Sequence, residues 1–445
     1  MQEIKETHPS PVSRRQFIKN STLLTASAAA AMSFPAILNA QSSQSMNAII
    51  IGMGGRGSGA GGDFLAAAKI AGVNARIVAV ADIFPESANK AQQLFGVPND
   101  KCFGGFDAYQ KALAVPGVNY VILATPPGFR PAHFTAAVAA GKNIFTEKPV
   151  AVDGAGARMM YAAGEQAKQK GLKVAAGTQR RHRPSYIETV KRIQDGAIGD
   201  VTAFRAYWVN GGPIWHRGVH GDTDLEQQVR NWYHYIWLCG DHCVEQHVHN
   251  IDVCNWVAGA HPVKAWGMGA RQVLANKSGE IWDNFAIEFE YANGVRMHSY
   301  CGQIKRGWSS VSEAVVGASG SAEMRDGRNS IRGKDGATWR ARDIPNDNGY
   351  VNEHVNLINA IVKGTELNET EQVTDSTLTA IMGREAAYSG SAVEWNDILN
   401  CKFTYGPELL YGDAGKMTWG KFRTLQSPLP GSHNILATPP QVPTV

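Results

Sequence analysis

The sequence predicts an α/β chain in which a doubly wound parallel sheet is followed by an α+β domain with a largely antiparallel open sheet. Up to about residue 180, short apolar strands alternate with helical segments, as in sheets covered by helices on both faces. From about residue 201, longer strands such as VTAFRAYWVN, NFAIEFEYANG and VRMHSYCGQ are separated by turns, which is typical of antiparallel sheets. The length of 445 residues, 44% of them apolar, suits about two to three domains. We expect divisions at 1–45, 46–180 and 181–425, with a surface tail at 426–445.

The first 45 residues are typical of an export leader and linker. The segment SRRQFIK at residues 13–19 precedes STLLTASAAAAMSFPAILNA, which is rich in alanine and carries no charge. Paired arginines before such a stretch are typical of a twin-arginine signal, a receptor-read address that sends a folded protein to the bacterial periplasm. The apolar part is short and weakly hydrophobic, and no later stretch suits a bilayer span, so we expect no permanent membrane span.

A glycine-rich turn lies between the first predicted strand and the helix after it. The stretch NAIIIGMGGRGSGAGG begins at residue 47, and its glycines fit the dinucleotide fingerprint G-x-G-x-x-G in the required context. In this Rossmann arrangement, Gly52 permits the tight turn, Gly54 the close approach of a pyrophosphate, and Gly57 the packing of helix on strand. A purely structural turn would give the same pattern. The predicted cofactor-binding residues of the turn are Gly52, Gly54, Gly55, Arg56 and Gly57.

An aspartate, Asp82, ends the second predicted strand, RIVAVAD. In a dinucleotide-binding unit, a carboxylate at this position accepts hydrogen bonds from the adenosine ribose hydroxyls and repels a 2′-phosphate. Ile83 and Phe84 follow, so no adjacent arginine is present to receive that phosphate. The pattern favours NAD over NADP, against the alternative of a solvated aspartate at a strand end.

A lysine follows the predicted strand NIFTE, in the sequence TEKPV. The carboxyl ends of the strands in a doubly wound sheet border the ligand, which places Glu147 and Lys148 near the expected nicotinamide. Partial desolvation there would allow the lysine amine to exchange a proton with a substrate hydroxyl. We therefore predict a catalytic role for Lys148, with a surface charge as the alternative.

Residues 240–259, GDHCVEQHVHNIDVCNWVAG, fit a helix with a polar stripe. Glu245, His249 and Asp252 fall on one face at helical spacing, next to an apolar stripe. Two carboxylates flanking a histidine suit a general acid or base, because they fix its tautomer and raise its basicity. Two alternatives stay open. One is a buried histidine satisfied by its neighbours, and the other is a metal site that adds His242 or His247 to Glu245 and His249.

Aromatic side chains are dense in residues 209–237. Trp215, Trp232 and Tyr233 present faces that suit the C–H face of a sugar ring. Packing in the core or between subunits would explain the same composition. Arg180 and Arg181 follow a predicted strand that joins the two domains and are further candidate substrate contacts.

Together these motifs resemble the glucose-fructose oxidoreductase and inositol dehydrogenase family, Gfo/Idh/MocA. The resemblance covers nearly everything after the leader, and it rests on the order of the fingerprint, Asp82, a PP-x5-H pattern, EKP and an acidic-x3-His-x2-Asp helix. It implies a Rossmann domain, a second domain with an open sheet, and frequent oligomers through that sheet. It also implies hydride exchange between a nicotinamide and a sugar or polyol.

The resemblance assigns roles to individual positions. Lys148 and His249 match the catalytic lysine and histidine of the family, and Glu245 stands where most members carry aspartate. Thr125, Pro126 and His133, around the PP-x5-H pattern, become predicted cofactor contacts.

These observations predict an exported oxidoreductase with a tightly bound NAD that acts on a sugar, polyol or glycoside. The periplasm holds no sizeable NAD pool, so a freely diffusing cofactor would be lost after one turnover. We expect further copies of the chain as partners, no metal and, from a net charge of only +4, no nucleic acid. The alternatives are a redox-neutral glycosidase that uses bound NAD, disfavoured by the intact EKP, and a non-catalytic carbohydrate-binding protein.

Overall fold

Two β-sheets organise the part of the chain that the structure describes. The computed structural model describes residues 45–211, 218, 221–274, 278–422 and 426–437. Residues 1–44 of the predicted leader and the candidate residue Trp215 lie outside these ranges. The chain from Ser43 onward forms one unit, which contains both sheets.

The first sheet is parallel and doubly wound, as predicted. Its strands are β1 (Met46–Ile51), β2 (Ala75–Asp82), β3 (Cys102–Gly104), β4 (Tyr120–Leu123), β5 (Asn143–Thr146) and β6 (Val174–Ala176). Their order is β3-β2-β1-β4-β5-β6. All four residues of β4 are buried, as expected for a sheet covered on both faces. The strand order reverses between β1 and β4, and ligands of doubly wound sheets bind outside the carboxyl ends at such a point.

The helices described in the first domain pack closely on this sheet. They are α1 (Gly55–Ala71), α2 (Pro85–Ala88), α3 (Lys90–Phe95), α4 (Ala108–Leu113), α5 (Arg130–Ala139) and α6 (Gly154–Gln169). Gly52, just before α1, has a φ of +98°, and a Cβ there would lie 2.7 Å from the carbonyl carbon of Ala124. A Cβ on Gly57 would lie 1.8 Å from the carbonyl oxygen of Gly52. Both positions therefore require glycine, one for the turn and one for the packing of α1 on β1.

The second sheet is mostly antiparallel, which confirms the predicted class. Its strands are β7 (Val201–Asn210), β8 (Pro262–Ala270), β9 (Asn284–Tyr291), β10 (Arg296–Gln303), β11 (Ser310–Gly317), β12 (Gly320–Met324), β13 (Ser330–Gly333), β14 (Thr338–Arg340) and β15 (Val393–Glu394). Their order is β14-β13-β12-β11-β7-β10-β9-β8-β15. The pair β7 and β10 is parallel, and the other neighbouring pairs are antiparallel.

The last long helices return to the first domain. The helices described after β6 are α7 (Pro184–Gln194), α8 (Asp224–Arg230), α9 (Ile236–Cys239), α10 (His242–Glu245), α11 (Val248–Ala258), α12 (Gly349–Lys363), α13 (Thr370–Ser389) and α14 (Trp395–Asn400). Leu357 and Ile358 of α12 belong to the same buried cluster as Phe64 of α1. The hydroxyl of Tyr120 on β4 lies 2.8 Å from Nδ1 of His354 on α12. The first domain is therefore completed by a helix from the end of the chain.

The structure corrects the single helix predicted over residues 240–259. Two helices, α10 and α11, replace it, and Gln246 and His247 lie between them. The side chain of Asp241 accepts a hydrogen bond from the backbone N–H of His242, which caps α10. The regular helix is interrupted between Glu245 and His249, so the two residues do not lie on one continuous helix.

The described part of the predicted surface tail, residues 426–437, contacts the second domain at a few points. Trp282 Nε1 donates to the carbonyl oxygen of Pro428 at 2.7 Å, the Gly431 N–H donates to Tyr388 O at 3.0 Å, and Ile435 is buried. Prolines and missing periodicity indicate an irregular backbone, but they do not reveal whether that backbone is anchored. Among the described helices, none combines the length and the apolar character that a bilayer crossing requires.

Candidate functional site

A cavity of about 640 Å³ lies at the carboxyl ends of the strands of the first sheet. Its wall combines residues of the first domain with residues of α8, α10 and α11 and the segments that join them. The predicted site residues that line it are Gly52, Gly54, Gly55, Arg56, Asp82, Thr125, Pro126, His133, Glu147, Lys148, Trp232, Tyr233, Glu245 and His249. Four other predicted residues are described by the structure but do not line this wall: Gly57, Arg180, Arg181 and Asp252.

The glycine turn presents open backbone to the cavity. A Cβ built on Gly54 or Gly55 would meet no atom of the described chain within 4 Å. These two residues precede and begin α1, whose first N–H groups have no partner inside the helix. The turn therefore has both the space and the donors that a pyrophosphate requires.

Asp82 lies on the wall beside this turn. Its carboxylate accepts hydrogen bonds from the N–H groups of Met53 at 2.8 Å and Phe84 at 2.9 Å. Burial raises the pKa of Asp82, while these two bonds lower it. Each carboxylate oxygen keeps a lone pair for a further donor, such as a ribose hydroxyl.

Aromatic and basic side chains cover the cavity beyond Asp82. The ring of Phe84 stacks on that of Trp419 with centroids 5.5 Å apart, and the guanidinium of Arg230 lies 4.0 Å from the Phe84 centroid. Arg230 also pairs with Glu226 at 2.7 Å and with Glu86 at 3.2 Å. The sequence shows no arginine next to Asp82, but the fold brings this one to the wall with its charge already compensated.

Lys148 and Glu245 meet at the other end of the cavity. Lys148 Nζ donates to the backbone carbonyl of Glu245 and lies 3.3 Å from Oε1 of its carboxylate. Both side chains are buried. Burial raises the pKa of Glu245, and the charges of Lys148 and Arg130 lower it. The second oxygen of Glu245 has no partner among the described residues, so one acceptor remains.

His249 lies on the same part of the wall. Its ring stacks on that of Trp208 with centroids 5.8 Å apart and planes inclined by 20°. Burial, and then the charges of Lys148 and Arg180, hold the pKa of His249 well below its usual value. The imidazole is therefore neutral at neutral pH, and a neutral imidazole accepts a proton.

The described hydrogen bonds of the Asp252 carboxylate go to side chains other than His249. Its carboxylate accepts hydrogen bonds from Arg181 Nε at 2.9 Å, from Gln372 at 2.9 Å and from Ser376 at 2.8 Å. Three donors from other segments draw this carboxylate away from the cavity. The pair of Arg181 and Asp252 thus joins α11 to the segment after β6.

Arg180 is likewise held in a buried ion pair, 2.9 Å from Glu313 on β11. Neither Arg180 nor Arg181 faces the cavity, because each has a carboxylate partner in the second domain. Of the predicted aromatic residues, Trp232 and Tyr233 line the wall, and the hydroxyl of Tyr233 lies 3.0 Å from Nδ1 of His242.

Arg130 and Tyr350 are among the wall residues that the sequence analysis did not predict. Arg130 begins α5, the helix that follows β4, and this position was an available signal. Tyr350 comes from α12 and lies with its ring centroid 5.0 Å from the Arg56 guanidinium, which no local pattern reveals. Arg56 itself pairs with Glu147 at 2.5 Å and with Asp63 at 3.0 Å.

The described ranges contain no group of three His, Cys, Asp or Glu residues that could hold a metal ion. Of the histidines considered for such a site, His247 places Nε2 2.7 Å from the hydroxyl of Ser299, and His242 contacts Tyr233. Both are committed to neighbours in the second domain.

Two family models match the chain. Residues 46–178 match the oxidoreductase family with an NAD-binding Rossmann fold, GFO_IDH_MocA. Residues 186–323 match the GFO/IDH/MocA C-terminal domain. The two matched regions together span more than half of the chain.

Characterised relatives show similarity over part of the chain. The scyllo-inositol 2-dehydrogenase (NAD(+)) of Bacillus subtilis is 26% identical over 195 residues, which are 44% of this chain and 50% of that protein. The inositol 2-dehydrogenase of Gluconacetobacter diazotrophicus is 33% identical over 158 residues, 35% of this chain and 45% of that protein. The chain thus spans about half the length of these relatives.

Solved structures match over a greater length. Levoglucosan dehydrogenase in complex with NADH and levoglucosan aligns with a TM-score of 0.65 and 19% identity, over 79% of this chain and 99% of that one. The aldose-aldose oxidoreductase of Caulobacter crescentus aligns with a TM-score of 0.63 and 20% identity, over 79% and 100%. At these identities the likeness shows a shared fold.

Proposed function

The chain belongs to the Gfo/Idh/MocA oxidoreductase family, and on that premise we propose that it is an exported NAD-dependent oxidoreductase acting on a sugar, polyol or glycoside. One observation carries the proposal: a single cavity joins the glycine turn and Asp82 at one end to Lys148, Glu245 and His249 at the other. Relatives named as inositol 2-dehydrogenases support a CH–OH substrate. The redox step itself is supplied by the nicotinamide of the cofactor when it is bound.

The turn and Asp82 are suited to hold NAD. Gly54 and Gly55 leave room for the pyrophosphate. The Asp82 carboxylate would accept hydrogen bonds from the ribose hydroxyls and repel a 2′-phosphate. Arg230 lies nearby, but its charge is compensated by Glu226 and Glu86, which disfavours its use as a phosphate ligand. These contacts support NAD over NADP.

Proton transfer is assigned to Lys148 and His249. Glu245 holds the lysine amine at the cavity wall through two acceptors, its carbonyl and its carboxylate. His249 is neutral and borders the same space, so it accepts the hydroxyl proton of a substrate during oxidation. Lys148 donates a hydrogen bond to the oxygen that becomes the carbonyl.

We further propose that the nucleotide stays bound between turnovers. The stacked rings of Phe84 and Trp419, with Arg230 on the Phe84 face, cover the end of the cavity beside Asp82. The twin-arginine motif supports export of the folded protein, and retention suits a compartment without an NAD pool. A retained cofactor must return to its starting oxidation state through a second substrate or within one.

A homo-oligomer is proposed from the second sheet. Met268, Tyr300 and Trp308 are exposed by 72%, 43% and 63% on or beside strands of that sheet. Exposed large apolar side chains of this kind are typical of a contact surface.

The first test is mass spectrometry of the nucleotide released when the natively purified protein is denatured. Stoichiometric NAD or NADH supports a retained cofactor, and an empty protein contradicts it.

A panel of sugars and polyols is then screened at the nicotinamide absorbance band. Absence of any absorbance change, with sugars still bound, would favour a non-catalytic carbohydrate-binding protein.

Export is tested by cell fractionation of the double variant Arg14→Lys and Arg15→Lys, which we expect to remain in the cytoplasm.

A further inference from the structure

Arg130 is a buried arginine on the cavity wall. Arg130 is the first residue of α5, and it is only 3% exposed. The guanidinium donates hydrogen bonds to the carbonyl oxygens of Thr125 and Pro149, which follow β4 and β5. Arg130 therefore ties together the two strand-end loops on either side of the expected nicotinamide.

The charge of Arg130 has no direct counterion. Among the described residues, no carboxylate forms an ion pair with it, because Glu147 is paired with Arg56 and Glu245 with Lys148. Its Nε has no hydrogen-bond partner in the same part of the chain. Burial lowers the pKa of Arg130 to about 10, so the group stays charged at neutral pH. Arg130 is therefore a buried positive charge on the cavity wall that shares no ion pair with the nearest carboxylates of the described chain, Glu147 and Glu245.

We propose that Arg130 sets the redox preference of the bound nicotinamide, favouring the neutral reduced ring over the positively charged oxidised ring. The inference rests on the proposed function. A buried cation repels a second cation more strongly than it would in water, and it has no such interaction with the reduced ring. The pyrophosphate carries the same charge in both forms, so it cancels from the comparison.

The reaction remains balanced in this description. During oxidation of the substrate its C–H bond breaks, the hydride forms a new C–H bond on the ring, and the hydroxyl proton passes to His249. Arg130 forms no bond to the reacting atoms. Its effect is to shift the equilibrium of that transfer toward the reduced cofactor and the carbonyl product.

The experiment is a redox titration of the cofactor bound to the full chain. Holoprotein is equilibrated with mediators of known potential, and the nicotinamide absorbance band reports the ratio of the two forms. In Arg130→Met, which removes the charge, we expect the equilibrium constant for reduction to fall by about tenfold. Arg130→Lys, which keeps the charge, should stay near wild type.

Arg158→Met is the matched control. Arg158 also donates to two backbone carbonyls, those of Leu399 and Cys401, but it lies outside the cavity wall. Its loss should leave the equilibrium unchanged. An unchanged equilibrium in Arg130→Met, or equal shifts in Arg130→Met and Arg130→Lys, would overturn the inference. A protein that binds neither NAD form would instead refute the proposed function.

Discussion

Lys148 Nζ lies 3.3 Å from Glu245 Oε1, and 97 residues of chain separate the two side chains. One follows β5 of the first domain, and the other ends α10 of the second. The contact therefore joins Lys148, the predicted catalytic lysine, to Glu245, which stands where most members of the family carry aspartate. Removing one partner of a buried pair leaves the other charge uncompensated.

We expect Lys148→Met to lower kcat by about 10² to 10⁴, because general acid and base groups contribute that much. Glu245→Asp should give a smaller loss, since the shorter side chain still offers its backbone carbonyl to the lysine. Steady-state rates are measured on protein of known NAD content. Lys170→Met is the control, because Lys170 Nζ also donates to a carbonyl, that of Val138, outside the cavity. Wild-type turnover in NAD-loaded Lys148→Met would refute the assignment.

The acid limb of the pH–rate profile should lie below the ordinary histidine value of about 6.5. The pKa of His249 is well below that value, so the imidazole stays neutral and able to accept a proton as the pH falls. The measurement is kcat/KM against pH for wild type and for His298→Asn, whose half-exposed imidazole lies on the second sheet. Both should show the same limb, and a limb at or above 6.5 would contradict the role of His249.

Trp419→Ala should release the nucleotide faster. The side chain stacks on Phe84 and contacts Phe106 at 4.7 Å between centroids, so its loss removes a packing partner of two rings that line the cavity near Asp82. An aromatic contact of this kind is worth about 0.5 to 1.5 kcal/mol, which corresponds to roughly a threefold to tenfold faster release. Exchange of bound nucleotide with labelled NAD measures the rate. Trp339→Ala removes a tryptophan that contacts Arg192 elsewhere, and it should release NAD at the wild-type rate.

Two glycines of α1 should respond in opposite ways to alanine. Gly57→Ala places a methyl group 1.8 Å from a backbone oxygen, so we expect a loss of about 1 to 3 kcal/mol in the free energy of unfolding. Gly62→Ala meets no atom within 4 Å on an exposed helical position, and we expect a gain of about 0.4 to 1 kcal/mol. Urea denaturation of the two variants gives both values. Equal effects would show that the close packing at Gly57 is absent.

The protein should lose stability in acid through its buried neutral histidines. Burial, together with the charge of Arg130, lowers the pKa of His133 to about 3. In the unfolded chain the same group titrates near 6.5, so its contribution is present above that pH and is lost as the pH falls toward 3. Through this group the free energy of unfolding should fall by about 1.4 kcal/mol for each pH unit of acidification. His133→Asn should remove this one-proton contribution from the slope, and denaturation measured between these pH values tests it.

Several of the predicted site residues that line the wall lie at the ends of local strands. Asp82 is the last residue of β2, and Thr125 and Lys148 come shortly after the ends of β4 and β5, so the doubly wound order alone brings them together. Arg230 and Tyr350 reach the same wall from distant segments, and no local pattern records such contacts. The part of the wall that local strand ends supply was therefore predictable from the sequence, and the part that distant segments supply was not.

The strand β11 escaped prediction for a related reason. Glu313 lies in its middle and is buried, which breaks the apolar pattern that identifies a core strand. The charge is compensated by Arg180 at 2.9 Å and by the amide of Asn250 at 2.5 Å, both far away in sequence. The ion pair of Asp252 was unpredictable in the same way, because its guanidinium partner comes from the other side of the domain boundary.

The return of α12 to the first domain also determines when that domain can be finished during synthesis. Leu357 and Ile358 fill a cluster shared with α1, and Glu353 lies 3.8 Å from Arg56 in the nucleotide turn. A ribosome that has translated only the first 180 residues has not yet made these side chains. The packing of the nucleotide-binding half therefore cannot be completed before α12 has been translated, well after the Rossmann segment itself.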